Sequence, residues 1–338
     1  MRGLLLAGVL PLIPGYTTAN PLPAASIPDL LDSIFNPNPG HGSDSIDPPA
    51  PGYTLTWHDE FTSPSSSSSS SPDSSYLPSS SNWLFDTGTQ YPTGAPNWGN
   101  NELQTYTTSR ENIHLTRSGT LLITPLRTPQ NGQWTSARIE SQRTTFAAAP
   151  RGKLYIEARL RTGCAPQSQQ SGIWPAFWAL GENFRSDPTD WPMASEWDFV
   201  EVINGDAVVY NNLHCGVDRG QGGPCNEYTG LTNGGVGWSG CEWHTVGFEA
   251  DRDVGDGDGD EDWEGETLTW FVDGEETHQV SGADVGDATV WEGIAHAGHF
   301  LLFNVAVGGN WPGYPDENTV DGEDVALEVD YVRVWNSD

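Results

Sequence analysis

Glu196, Asp198 and Glu201 stand close together in the run Ala194–Val202, ASEWDFVEV, among aromatic and β-branched neighbours. Carboxyl groups at such spacing can work as a pair. One, ionised, attacks carbon. The other, protonated, gives its proton to a leaving oxygen and later takes one from water, which together cleave a glycosidic bond in two steps. Neighbouring acids push one another's pKa apart, so the two roles fall to different groups. A third acid between them can hold or share a proton. The spacing is odd for a strand. Residues two apart share a face, which joins Glu196 to Asp198 with Trp197 behind, yet Glu201 lies three beyond Asp198. One extra residue, a β-bulge at Phe199–Val200, returns it to the face of the other two. Trp197, Phe199, Val200, Val202 and Ile203 mark a buried strand. Burying unpaired carboxylates is costly, so chemistry is the expected reason for their presence.

Asn204-Gly205 follows at once and signals a hairpin. A two-residue loop sets Ile203 opposite Asp206 and Glu201 opposite Val208. Carried through the bulge, Asp198 falls opposite Tyr210 and Glu196 opposite Asn212. His214 then shares the face of the acids; without the bulge it would point away.

The elements that must position these groups are strands. Gly, Pro and Ser clusters separate short aromatic and β-branched runs, and no helical stretch of ordinary length stands out. KLYIEARLR alternates, with Leu154, Ile156, Ala158 and Leu160 on one face. Asp273-Gly274 joins two strand-like arms, and LEVDYVRVW near the C-terminus is apolar on both faces, as inside a sandwich. The expected architecture is all-β: two packed antiparallel sheets in a jelly-roll-like sandwich.

Residues 1–19 read as a secretory signal peptide, 20–51 as a Pro/Ser-rich propeptide or linker, and 52–338 as the β-sandwich domain. A serine-rich loop insertion (62–81) and an acidic one (251–266) interrupt that domain. The acidic loop resembles a calcium loop, but counted from Asp256 it has Glu261 at position six and Thr267 at position twelve, and fails the EF-hand pattern. The formal charge of −32, from 46 acids against 14 bases, disfavours nucleic acid and suits a neutral ligand. It fits a solvated extracellular surface, or a life in salt or acid. No later run is long and apolar enough for a membrane helix, and no Asn-x-Ser/Thr sequon is present. Cys164, Cys215, Cys225 and Cys241 suit two disulfides, with three pairings open. None lies in a Cys-x-x-Cys pair, so zinc is not expected.

The run EWDFVE resembles glycoside hydrolase family 16, in its laminarinase-type branch, whose motif is Glu-x-Asp-x-x-Glu on a bulged strand. WHDEF, NNELQTYT, GKLYIEARL, GIWPAFWALG, WFVDGE, NVAVGGNWPG and VDYVRVW match in order, covering about residues 52–336. The resemblance implies a concanavalin-like β-jelly-roll and a retaining endo-β-1,3-glucanase, extending to mixed 1,3-1,4 linkages. Glu196 would be the nucleophile, Glu201 the acid/base and Asp198 the assisting carboxyl. Trp174, Trp178, Trp191 and Trp311 would line the sugar subsites, with His214, Asn101, Glu102 and Arg138 as further cleft residues. It implies no required cofactor, and room for a structural calcium near Glu60, Gly119 and Asp330. The expected partner of this secreted monomer, free or wall-associated, is a β-glucan, with no nucleic acid or membrane. Rival readings are a non-catalytic glucan-recognition protein, a galactan hydrolase, a transglycosylase and an acidic matrix protein. The chain keeps both glutamates, which lectin-like relatives lose, and its charge disfavours sulfated galactans. Transglycosylases generally lack the extra residue before the second glutamate. Two positions depart from the family's habit: Ser195 stands where Gly is usual, and Trp197 where a mid-sized aliphatic is usual.

Overall fold

Period-2 alternation builds most of the molecule. In the computed structural model, which describes residues 46–62, 76–129, 131–216, 222–254 and 262–337, strands form two large antiparallel sheets. The predicted signal peptide, most of the lead-in, most of the serine-rich stretch and the centre of the acidic loop lie outside the described residues. Pro48–Asp338 forms one compact unit.

The first sheet runs β17 (Glu275–Ser281), β16 (Thr267–Val272), β15 (His244–Asp251), β9 (Lys153–Arg161), β19 (Leu327–Ser337), β5 (Leu121–Ile123) and β4 (Ile113–Leu115), with β1 (Thr54–Asp59) also on β19. The second runs β13 (Leu231–Thr232), β12 (Val208–His214), β11 (Glu196–Glu201), β10 (Ile173–Gly181), β18 (His299–Val307), β8 (Arg138–Ser141) and β2 (Trp83–Asp86), with β14 (Val236–Gly237) also on β12. A small third sheet joins β3 (Thr105–Tyr106), β7 (Trp134–Ser136) and β6 (Leu126–Arg127). This is the expected jelly-roll sandwich.

The core fills the space between the large sheets. Leu154, Ile156, Ala158 and Leu160 of β9 are buried, as their alternation requires. From β15, Phe248 meets Trp197 and Phe199 of β11 at ring distances of 4.7 and 5.0 Å. Phe177 of β10 stacks on Phe303 of β18 at 4.4 Å. Burying rings of this size dominates the packing energy of such a sandwich.

The Asp273-Gly274 turn is as expected, with both residues at positive φ (52° and 81°), the requirement of a tight hairpin turn. β19 corrects the sequence reading. It is not apolar on both faces: Leu327, Val329, Val332 and Val334 face the core, while Glu328, Asp330, Tyr331 and Arg333 are half-buried on the other side. A register shift between Val329 and Tyr331 changes the phase of the alternation and mimics a two-faced apolar strand. The α-helical runs among the described residues are short: Asn183–Ser186, Gly282–Val285 and Ala288–Trp291, the last continued by a π-turn over Glu292–His296. The disulfides pair Cys164 with Cys241 and Cys215 with Cys225.

Candidate active site

The bulge in β11 is present where the spacing predicted it. Pairing with β12 shifts register between Asp198 and Glu201, and pairing with β10 shifts at the same place. Glu196, Asp198 and Glu201 therefore project from one face. Trp197, Phe199 and Val200 are wholly buried behind them. A bulge leaves backbone carbonyls without ladder partners, which is costly inside a core. Here the Trp270 indole N–H donates to the Asp198 carbonyl (2.9 Å) and the Asn211 amide donates to the Phe199 carbonyl (2.7 Å). Both donors were missed by sequence reading; they belong to β16 and β12, distant in the chain.

The register across the hairpin differs from expectation by two residues. Glu201 lies opposite Tyr210, Asp198 opposite Asn212 and Glu196 opposite His214. The turn itself is as predicted: Asn204 and Gly205 both have positive φ, and the Asp206 N–H donates to the Ile203 carbonyl (2.9 Å). Beyond it the strands part. Val202 and Asn204 donate to the Pro175 and Ile173 carbonyls, and the Ala207 carbonyl accepts from Trp238. An offset of two preserves faces, so His214 still joins the acids.

Each glutamate accepts one indole N–H: Trp191 donates to Glu196 (3.0 Å) and Trp174 to Glu201 (3.1 Å). Burial pushes Glu201 up to about 7, helped by Glu196 and opposed by His214 and the Trp174 hydrogen bond. Burial also raises Glu196, but His214, Trp191 and Arg138 all favour its ionised form. Asp198, 1% exposed, is held well above the usual carboxylate range by burial, by Glu201 and Glu196, and by its hydrogen bond to Glu196. His214 is raised: burial disfavours its charge, but the Glu227 hydrogen bond and the surrounding acids outweigh that. Its Nδ1 bonds Glu227 (2.8 Å), whose other oxygen accepts the Cys215 N–H (3.0 Å). The Asn212 amide nitrogen faces His214 Nε2 at 2.8 Å. Glu227 lies in an irregular loop with no periodic signal; only the flanking cysteines hinted that this loop is tied to β12.

The cleft walls are aromatic. Trp311, 44% exposed, packs edge-on against Trp174 and Tyr210. At the other end Tyr228, 68% exposed, lies parallel to Trp191 (5.9 Å, 8°), a platform the sequence did not reveal. Trp178 donates to Asn304 (2.7 Å) and lies against the Arg138 guanidinium, which is buried and paired with Asp86. Arg138 thus supports the cleft floor from within. Asn101 donates to Asn310, beside Trp311, and Glu102 is buried, held by Gln104 (2.6 Å) and pushed up to about 7 by burial. Glu60 and Asp330 belong elsewhere: Arg333 takes both oxygens of Glu60, and Arg159 pairs with Asp330 (2.6 Å). Gly119 sits in the Thr116–Thr120 turn.

The two departures flanking Glu196 form one unit. Ser195 has φ 68°, a conformation that favours glycine. Its hydroxyl meets Nε2 of buried His299 at 3.2 Å, and the same imidazole stacks on Trp197 at 3.5 Å. Burial lowers His299 to about 3, so it stays neutral. Just before, Gly181 ends β10 under the Ala194 carbonyl; a Cβ there would lie 1.7 Å from that oxygen, so no side chain fits.

No family model matches the chain. It is 31% identical over 304 residues to a Beta-glucanase of Rhodothermus marinus, covering 87% of this chain and 88% of that protein. It is 30% identical over 290 residues to the Clotting factor G alpha subunit of Tachypleus tridentatus, where it spans 34% of the relative's length. Among solved structures, the endo-1,3-beta-glucanase from Streptomyces sioyaensis superposes with a TM-score of 0.76 at 35% identity, covering 87% of this chain and 99% of that one.

Proposed function

Because the chain belongs to glycoside hydrolase family 16, we propose that it is a retaining endo-β-1,3(4)-glucanase in which Glu196 and Glu201 share the work. The observation that carries this reading is the bulge, which turns both glutamates to one face of β11 under separate indole donors.

A glucan lies along the cleft between Tyr228 and Trp311. The Glu196 carboxylate attacks the anomeric carbon from below the ring. Glu201, protonated because burial lifts it to about 7, gives its proton to the departing glycosidic oxygen. The products are a glycosyl ester on Glu196 and a shortened chain. In the second step Glu201, now ionised, takes a proton from water; the hydroxide adds to the same carbon and Glu196 leaves. Two inversions give net retention, with one water consumed. Protonated Asp198 donates a hydrogen bond to the Glu196 carboxylate in the resting site, keeps its proton, and loses that bond as Glu196 bonds to carbon. Trp174, Trp178, Trp191 and Trp311 carry sugar rings, and His214 helps keep Glu196 ionised.

The reaction needs no metal or redox group. The residues near Glu60 and Asp330 do not fit a structural calcium ion, since guanidinium groups already neutralise both carboxylates. The two disulfides support an oxidising destination, in keeping with the signal-like residues 1–19 and secretion of a monomer.

The test is release of reducing ends from laminarin, lichenan, agarose and xyloglucan, with product anomers read by proton NMR. The β-glucans should be cut with retention. Glu196→Gln should bind laminarin and release nothing; Glu201→Gln should bind it and lose about 10²–10⁴ in rate. Wild-type activity in either variant sinks the assignment. Binding without release by the unaltered protein would establish a recognition protein instead.

A further inference from the structure

Three side chains of the cleft are arranged as ligands of an open transition-metal site. One ligand atom each from Glu196, Asp198 and His214 lie within 4.8 Å of one another. A cluster of acids alone would say little, but two other features point to a cation. Asp198 Oδ2 is buried, has no hydrogen-bond partner among the described residues, and lies 3.6 Å from His214 Nε2. His214 also has the support that metal-binding imidazoles have: Nδ1 is bonded to the Glu227 carboxylate, which is anchored in turn by the Cys215 N–H. That contact keeps a proton on Nδ1, so Nε2, which faces the Asn212 amide (2.8 Å) and Asp198 (3.6 Å), is the nitrogen left for an ion. Trp191 takes one oxygen of Glu196, leaving the other to the Asp198 proton, which an ion would replace.

We propose that the resting site binds one Zn²⁺ (or Cu²⁺) through Glu196, Asp198 and His214, and that this ion excludes glucan. One nitrogen and two carboxylate donors suit zinc or copper better than calcium or magnesium, which prefer oxygen alone and more ligands. Three protein ligands leave the fourth position to water. Tetrahedral ligands at zinc distances stand roughly 3.3 Å apart, so the three atoms close in by side-chain rotation. The ion takes the lone pair that Nε2 now shares with the Asn212 amide, and that amide keeps its bond to the Thr229 carbonyl (3.1 Å). Binding displaces the proton held between Asp198 and Glu196. With its lone pair on zinc, Glu196 cannot attack carbon. The effect on activity rests on Glu196 being the nucleophile; the ion site does not.

Zinc chloride titrated into the full chain by calorimetry should show one saturable site. In laminarin hydrolysis the same ion should raise the apparent KM with kcat unchanged, and chelator should restore the rate. Glu227→Gln, which leaves all three ligands in place, should weaken zinc binding about 10–100-fold. His214→Asn should abolish the site while its thermal melt shows a folded protein. Trp311→Ala should bind zinc as the unaltered chain does. No saturable zinc binding, or binding indifferent to both His214→Asn and Glu227→Gln, overturns the proposal. Zinc bound through His214 with hydrolysis unimpaired would support the ion site and overturn Glu196 as nucleophile.

Discussion

Glu196 and Glu201 accept indole hydrogen bonds of nearly equal length, 3.0 and 3.1 Å, and there the likeness ends. Around Glu196 stand His214, the proton-bearing Asp198, and Trp191 backed by the parallel ring of Tyr228. Around Glu201 stand Trp174 and, beyond it, the edge-on ring of Trp311. Glu201 is the more enclosed, 8% exposed, and burial lifts it to about 7. Burial raises both glutamates, and Glu201 the further, because His214, Trp191 and Arg138 oppose the rise at Glu196. A donor that is alike at both ends cannot be what separates the roles; the histidine, the middle acid and the depth of burial do that.

The most severe way to break the comparison is to remove one carboxylate at a time and change the leaving group. Glu196→Gln should lose hydrolysis of every substrate. Glu201→Gln should lose about 10²–10⁴ on laminarin yet still form the glycosyl ester from an aryl β-laminaribioside with a good leaving group, seen as a burst of phenolate. Equal losses on both substrates would erase the distinction between the ends.

The indoles sharpen it through the pH profile. Activity needs Glu196 ionised and Glu201 protonated, so kcat/KM should fall as pH rises through about 7, where Glu201 titrates. Each indole favours the ionised form of its glutamate, and losing it raises that pKa. A hydrogen bond to a charged group contributes about 1.5–3 kcal/mol, of which about one pH unit should show. Trp191→Phe should move the acid limb upward and narrow the profile; Trp174→Phe should move the basic limb upward and widen it. Narrowing in one variant and widening in the other would be hard to mimic by general damage.

The outer rings test the ends as platforms. Tyr228→Ala and Trp311→Ala should each raise KM for laminarin by roughly 3–10-fold, in line with about 0.5–1.5 kcal/mol for a ring contact. They should shift the sizes of the released oligosaccharides in opposite directions on chromatography. The smallest effect belongs to Ser195→Gly. Relief of a left-handed conformation, roughly 1–2 kcal/mol, opposes loss of a hydrogen bond contributing about 1 kcal/mol. The melting temperature should move by only a few degrees, while activity stays near that of the unaltered chain.

The bulge was legible because Glu-x-Asp-x-x-Glu breaks a period of two inside an apolar strand. The tight turn at Asn204-Gly205 was legible for equally local reasons. The register was not: how far the return strand runs before it pairs depends on the Pro175 and Ile173 carbonyls and the Trp238 N–H, which no local pattern announces. His214 could be assigned a face, but not Glu227, which holds it from a loop without periodicity. Tryptophans were the hardest to sort. Trp197 and Trp270 are wholly buried while Trp311 is 44% exposed, and ring type alone does not separate core from cleft. The two-faced reading of β19 failed because a register shift looks, in sequence, like extra apolar residues.

The bulge makes this site a matter of counting. Without the kink a strand of this length would swing Glu201 toward Phe248 between the sheets, so the Trp270 and Asn211 donors that serve it guard the direction in which the second acid looks. Removing one residue would instead leave the acids two apart on one face and abolish the need for the kink.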